Sequence, residues 1–289
     1  MTNSTTQKTS KKASRTGESL FWKSPKKKGT ITMLKAVIFD QDGVLADTER
    51  DGHRVAFNRT FQEFDLNIEW NVQTYGELLH VGGGKERMRH YITREGLDAQ
   101  FPNLDDLIKT LHTRKTELFM ELLETGQIRL RPGVKRLIRE VHDAKLKLAV
   151  CSTSNEKAVN TLVRTLLGED IHGWFDHILA GDIVTHKKPN PEIYNAAYSK
   201  LGVDPAECIV IEDNRNGLMA ATGAGMKCLV TVNGYTKNED YREAELVVSC
   251  LGDPEQEHAT VLSGKQSQDV TFEGCVTVAL LRQLVLSKV

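Results

Sequence analysis

The sequence predicts an α/β fold, a parallel sheet covered by helices on both faces, with a helical insertion after the first strand. Three observations carry this. Short apolar runs alternate with segments of helical periodicity from Leu34 onward; this alternation is the mark of parallel sheets whose strands are buried on both faces. Polar and charged residues gather where those runs end. Between Glu49 and about Leu130 the rhythm breaks, and only helical patterns appear.

Taken in order, "LKAVIF" (34–39) is the first expected strand. The segment 49–130 follows, with helical stretches such as "HRVAFNRTFQEF" and "HTRKTELFMELLE", and Arg131-Pro132-Gly133 marks its end. Then come strands at "LKLAVC" (146–151), "HILA" (177–180), "CIVI" (208–211), "KCLVT" (227–231) and "ELVV" (245–248). Between them lie the helices "NEKAVNTLVRTLL", "PEIYNAAYSKLG" and "NRNGLMAATGAG", the last two closing on glycine, a common helix stop. The expected organisation is a basic tail over 1–33, core over 34–48, a helical cap over 49–130 and core again over 131–289. No internal repeat is visible.

Composition narrows the class. With 289 residues, 39% hydrophobic and 27% charged, the chain can bury a large core and reads as a soluble globular protein. No run approaches the roughly 18–20 apolar residues of a membrane span. Five cysteines, an odd number without CxxC spacing, indicate neither a disulfide framework nor a zinc site and fit a reducing compartment. The formal charge of −1 hides an asymmetry: residues 1–33 hold eight Lys or Arg against Glu18, a net +7, leaving −8 for the rest. The tail is rich in Ser, Thr and Lys with little to bury and reads as disordered. It has no apolar segment of secretory type. An acidic body argues against nucleic-acid binding. Cytoplasmic localisation is expected, or plastid if residues 1–33 are a transit segment.

Ligands of open parallel sheets bind at the carboxyl ends of the strands. There the first strand delivers Asp40 and Asp42, "AVCSTSN" delivers Ser152 and Thr153, "IVIEDN" delivers Glu212 and Asp213, and "HKKPNPEIY" places Lys187 and Lys188 in a loop. Clustered carboxylates are costly unless a cation neutralises them. Mg²⁺ takes oxygen ligands, often one or two carboxylates with phosphate and water. Asp40 can be both ligand and nucleophile, forming an aspartyl-phosphate. Asp42 can protonate the leaving oxygen and then deprotonate water; its negative neighbours are expected to raise its pKa. Gly43 permits a tight turn. Ser152 and Lys188 are expected to hold phosphoryl oxygens, while Lys187 reads as a solvated neighbour.

"DQDGVLADT", the strand ending in Ser152, "KKPNPEIY" and "EDNRNG" resemble, in order and spacing, the four motifs of the haloacid-dehalogenase-like phosphohydrolases, over residues 34 to about 250. The resemblance implies a Rossmann-like core, an inserted helical cap, Mg²⁺ and an aspartyl-phosphate. It implies Asp40 as nucleophile, Asp42 as acid/base and Ser152 and Lys188 as phosphate ligands. Asp40, Asp213, Glu212 and the Asp42 carbonyl would surround the metal. Asn214 and Arg215 replace the small residues common after the last aspartate. "DTERDGHRVAFNRTF", "YGELLHVGGGKERM", "KTELFMELLE", "CSTSNEKAV" and "LGDPEQE" further resemble the CbbY-type branch, close to β-phosphoglucomutase. That implies Lys85 and Arg87 reaching from the cap toward a distal phosphate or sugar. His53 stands one residue further from Asp40 than the cap histidine of β-phosphoglucomutase and is not carried over. Trp70 and Tyr75 read as cap core; His80, His90 and His186 read as surface or structural residues.

The expected activity is a Mg²⁺-dependent phosphatase for a small sugar phosphate, with xylulose-1,5-bisphosphate or a relative as the substrate the branch implies. The alternative is a phosphomutase; intact motifs disfavour a noncatalytic scaffold. The expected partner is the small-molecule sugar phosphate, with no nucleic acid and no membrane, and the chain is expected to act as a monomer.

Overall fold

The computed structural model describes residues 32–286; the expected disordered tail falls almost wholly outside them. Seven strands form one sheet: β1 Ala36–Phe39, β2 Lys147–Ser152, β3 His177–Ala180, β4 Cys208–Glu212, β5 Lys227–Thr231, β6 Leu246–Val248 and β7 Val261–Ser263. Their order is β3-β2-β1-β4-β5-β6-β7, parallel except for the antiparallel β6–β7 pair. Side chains alternate across a strand. Val37 and Phe39 therefore join one apolar layer, whereas Ala36 and Ile38 join the layer on the opposite face. The chain leaves β1 in one direction through β2 and β3, then returns to β4 on its other side. That reversal opens the crevice in which parallel sheets bind ligands.

The helices are α1 Arg54–Glu63, α2 Val72–Leu78, α3 Gly84–Arg94, α4 Leu104–Glu124, α5 Val134–Asp143, α6 Glu156–Leu167, α7 Glu169–His172, α8 Glu192–Leu201, α9 Arg215–Gly223 and α10 Val278–Leu286. Several begin on a side chain that satisfies a free backbone donor: Asn71 accepts from Thr74 N, Asn155 from Lys157 N and Ala158 N, and Asn214 from Gly217 N. α8 ends at Gly202 in the left-handed region, as its sequence predicts. β7 and α10 lie outside the expected alternation. β7 is short and has exposed or half-buried side chains, so no apolar run announces it.

α1 to α4 follow β1 and carry an apolar cluster of their own. The Trp70 ring lies 4.7 Å from Phe57 and 4.9 Å from Phe61, and both Trp70 and Tyr75 are fully buried. α4, 21 residues and so about 32 Å long, links two clusters. Ile108 and Leu111 belong to the aromatic cluster, whereas Leu118, Phe119, Leu122 and Leu123 pack into the main core. α1 does the same at its start, where Ala56 joins the main core while Phe57 and Phe61 join the aromatic cluster. No helix among the described residues is long and apolar enough to cross a membrane.

Candidate active site

Asp40 continues β1, its N–H donating to the Ile211 carbonyl (2.9 Å), and its side chain is buried at the crevice. The chain then turns sharply, with Leu45 N donating to Gln41 O (2.8 Å) and Gly43 N to Ala46 O (2.9 Å). Gly43 has φ +85°, and a Cβ there would strike the carboxylate of Asp213. Only glycine allows both this backbone and that approach.

Asp40, Glu212 and Asp213 each place a carboxylate oxygen within 4.8 Å of the others, all three being buried. Lys188 Nζ donates to Asp40 Oδ1 (2.5 Å), Glu212 Oε1 (2.6 Å) and the Cys151 carbonyl (3.1 Å). The Tyr194 hydroxyl also donates to Glu212 Oε1, and Asp213 N donates to Glu212 Oε2 (3.2 Å). Burial lifts the Asp40 carboxyl well above its ordinary pKa, with Glu212 and Asp42 adding to the rise against the pull of Lys188. Asp213 is raised in the same direction by burial, Asp40 and Glu212. Burial alone would lower Lys188, but the two carboxylates outweigh it and keep an ammonium. One ammonium does not balance three carboxylates. An all-oxygen, electron-rich set short of positive charge fits a hard divalent cation such as Mg²⁺.

Asp42 departs from the sequence expectation. Its carboxylate accepts hydrogen bonds from Thr48 Oγ1 (2.6 Å), Ser154 Oγ (2.6 Å) and Ser152 Oγ (3.4 Å), and lies 3.3 Å from His53 Nε2. Burial would raise it, but the His53 ring and the bonds from His53, Ser154 and Thr48 outweigh burial and hold it below the usual carboxylate range. The expected rise is therefore corrected to a fall. The reason is spatial: Asp42 is wrapped by donors, whereas the cluster of repelling carboxylates forms around Asp40.

The remaining expected residues spread around one cavity of about 960 Å³ between the strand ends and the cap. Ser152 is buried below its wall and accepts from Ser154 N (3.1 Å), while Thr153 lines the cavity. Exposed Lys85 lines it from α3. Arg87 lines it too but is buried, donating to the Tyr75 hydroxyl (2.8 Å) and lying 3.7 Å from Glu49. Lys187 is not merely solvated: it lines the cavity and pairs with Glu86 at 3.5 Å. His80 lines the cavity with its ring 5.2 Å from that of His90, and exposed His186 pairs with Glu192 (3.1 Å). Asn214 donates to Asp213 Oδ1 (2.5 Å) while capping α9, and Arg215 pairs with Glu243.

Sequence reasoning missed His53 and Lys115. His53 closes a π-helical turn over Glu49–His53, and its ring reaches Asp42 despite the one-residue offset that argued against it. Its Nδ1 lies 2.9 Å from Lys115 Nζ. An ammonium can only donate there, so Nδ1 is the acceptor and Nε2 carries the hydrogen facing Asp42. Burial pushes the Lys115 pKa down to about 8. The visible signal was a lysine on the apolar stripe of α4, four residues after Leu111 and three before Leu118. Ser154, Thr48, Tyr194 and Asn233, which donates to Asp213 Oδ2 (2.7 Å), were also unread. Burial and the cations Lys115, Lys85 and Lys187 push His112 down to about 4. The cavity thus has Asp40, Asp42, Asp213 and Lys188 at its floor, and on the cap side Lys85, Arg87, Lys109 and Lys115 interleaved with Glu49, Glu86 and Glu117.

Residues 34–225 match the model of the haloacid dehalogenase-like hydrolase family. The chain belongs to this family and is an enzyme, a phosphoric monoester hydrolase. Within the family its relatives include CbbY proteins. It is 51% identical over 230 residues to a CBBY-like protein of Arabidopsis thaliana, covering 78% of this chain and 72% of that one. It is 40% identical over 222 residues to Protein CbbY of Cereibacter sphaeroides, covering 76% and 94%. A crystal structure of a CbbY variant from Rhodobacter sphaeroides in complex with xylulose-(1,5)bisphosphate superposes with a TM-score of 0.68 at 38% identity, covering 75% of this chain and 95% of that one.

Proposed function

We propose that the chain is a Mg²⁺-dependent phosphatase acting on a small sugar bisphosphate such as xylulose-1,5-bisphosphate. The observation that carries this is the polarity of the cavity. Asp40, Asp42 and Asp213 line one end, while Lys85, Arg87, Lys109, Lys115 and Lys187 line the other regions of the same space. Arg87 already lies beside Glu49 and Lys187 pairs with Glu86, so the charge left for a second phosphate is that of Lys85, Lys109 and Lys115. The bisphosphate bound to the related bacterial CbbY supports the same assignment.

In this mechanism an Asp40 carboxylate oxygen attacks phosphorus and the ester bond to the sugar oxygen breaks. Asp42 gives its proton to that oxygen, releasing the alcohol. Asp42 then takes a proton from water, which attacks phosphorus of the aspartyl-phosphate and frees inorganic phosphate and Asp40. Asp42 is held ionised here, ready for the second half; the charge of an arriving phosphate favours its protonation for the first. Lys188 holds Asp40 and balances charge on the transferring group. Ser152 and Thr153 shape the phosphate side of the pocket. Asp40, Asp213, Glu212 and the Asp42 carbonyl would hold Mg²⁺, which supplies positive charge that Lys188 alone does not.

The test is a phosphate-release screen over sugar mono- and bisphosphates with product analysis, repeated with Lys85→Ala. Bisphosphates should lead in kcat/KM, yielding free phosphate and the sugar monophosphate. Lys85→Ala should lose roughly ten- to a hundredfold in kcat/KM on the bisphosphate, from a lost charge-assisted hydrogen bond, and little on p-nitrophenyl phosphate. Conversion to an isomeric phosphate without phosphate release would make the enzyme a mutase. Equal losses on both esters would remove Lys85 from distal recognition.

A further inference from the structure

Beside this cavity the cap segment meets the core through the His53–Asp42 contact, deep in the crevice, and through an ion pair, Glu86 with Lys187. The second is only half-shielded, with side chains 51% and 26% exposed, and its place in the backbone gives it its interest. Glu86 stands in the first turn of α3, immediately after the turn Gly82-Gly83-Gly84. Gly83 has φ +96°, and the space a Cβ would need is taken by the Glu86 carboxylate and, at 3.1 Å, by Lys187 Nζ. A Cβ on Gly82 would lie 3.5 Å from the Lys188 carbonyl, ordinary van der Waals contact. The glycine turn therefore rests on the backbone of the loop carrying Lys187 and Lys188. Lys187 clamps it there, and the next residue sends its ammonium down to Asp40 and Glu212 at 2.5 and 2.6 Å.

The geometry points to Glu86 and Lys187 as positioning residues that fasten the cap turn onto the Lys188 loop, so that closing the cavity and seating Lys188 against Asp40 are one event. This rests on the reading of Asp40 and Lys188 as the reacting pair. Neither Glu86 nor Lys187 touches the reacting atoms; their effect passes through the loop backbone. With the pair intact the turn lies on the loop and Lys188 is held from both sides. With it broken the turn lifts, and both segments open to solvent.

The test uses the full chain as Glu86→Lys, Lys187→Glu and the double exchange, followed by hydrogen–deuterium exchange without substrate over residues 80–88 and 184–190. A half-exposed ion pair biases an opening equilibrium by about two- to fivefold. Each single reversal should raise exchange in both segments by that factor and lower kcat for phosphate release; the double exchange should restore both. Glu86→Gln and Lys187→Gln, which add no repulsion, should move exchange in the same direction and stand in for any reversal that does not fold. Unchanged exchange over 184–190 in the single variants, or no recovery in the double, overturns the proposal. If the wild-type chain released no phosphate, the functional reading would fall, whereas the exchange pattern would still decide whether the fastening exists.

Discussion

Lys115 is a buried ammonium 2.9 Å from a histidine nitrogen and 4.8 and 5.4 Å from the ring centroids of Phe57 and Phe119. Burial lowers its pKa to about 8 from an unfolded value near 10.5, so keeping it charged in the fold costs on the order of 3 kcal/mol. Between about pH 8 and 10.5 the unfolded chain holds a proton that the folded chain has lost, so this cost fades as pH rises. Lys115→Met should therefore be more stable than the wild type at pH 7, by about 1–3 kcal/mol, with the gap closing toward pH 10.5. Thermal unfolding of both proteins across that range checks it; a less stable variant at pH 7 would contradict the burial cost. At Asp40 the expectation concerns chemistry. Asp40→Asn should fold normally, because it removes one of three crowded carboxylates, and should lose phosphate release by about a thousandfold or more. A folded variant with near wild-type turnover would exclude Asp40 as the nucleophile.

The turn after β1 must bring Asp213 against the backbone of Gly43, which has φ +85°. An L-residue in that region costs about 1–2 kcal/mol, and the added methyl also displaces Asp213 and Asn233. Gly43→Ala should lower unfolding free energy by at least about 2 kcal/mol in urea titrations. It should also impair catalysis more than the stability loss explains, since Asp213 must move. A fully stable and active variant would show that the turn can re-form around a side chain. Behind this turn, Arg131 donates to the carbonyls of Gly43, Thr231, Val232 (2.5 Å) and Ser249 (3.1 Å). It ties the turn to the sheet at the point where the chain returns from the cap.

Three buried carboxylates with oxygens within 4.8 Å of one another repel when ionised, and a cation relieves that repulsion. Mg²⁺ should therefore raise the melting temperature as well as support turnover. Saturation a hundredfold above Kd is worth about 2.7 kcal/mol. Asp213→Asn should diminish the Mg²⁺-induced shift, and chelator should abolish hydrolysis. Unchanged melting with and without Mg²⁺, together with full activity in chelator, would remove the metal from the site.

Much of this was written locally in the chain. Strands β1 to β6 were legible because each is buried as an apolar run; Asp40, Glu212 and Asp213 were legible because each follows or ends such a run, and Lys188 because it stands in the loop before a proline-led helix. β7 was not, since its half-buried and exposed residues carry no periodic mark. Position along one strand or loop thus determined the fold class, the carboxylate cluster and the hydrolase family. What only the tertiary structure decided is the charge and surroundings of those groups. Asp42 is lowered and Asp40 raised although only Gln41 separates them. Lys115 meets His53 across 62 residues, and Glu86 of the cap segment meets Lys187 of the core at 3.5 Å. A pKa and an ion pair depend on burial and on neighbours in space, and those neighbours are set by how the cap packs on the sheet.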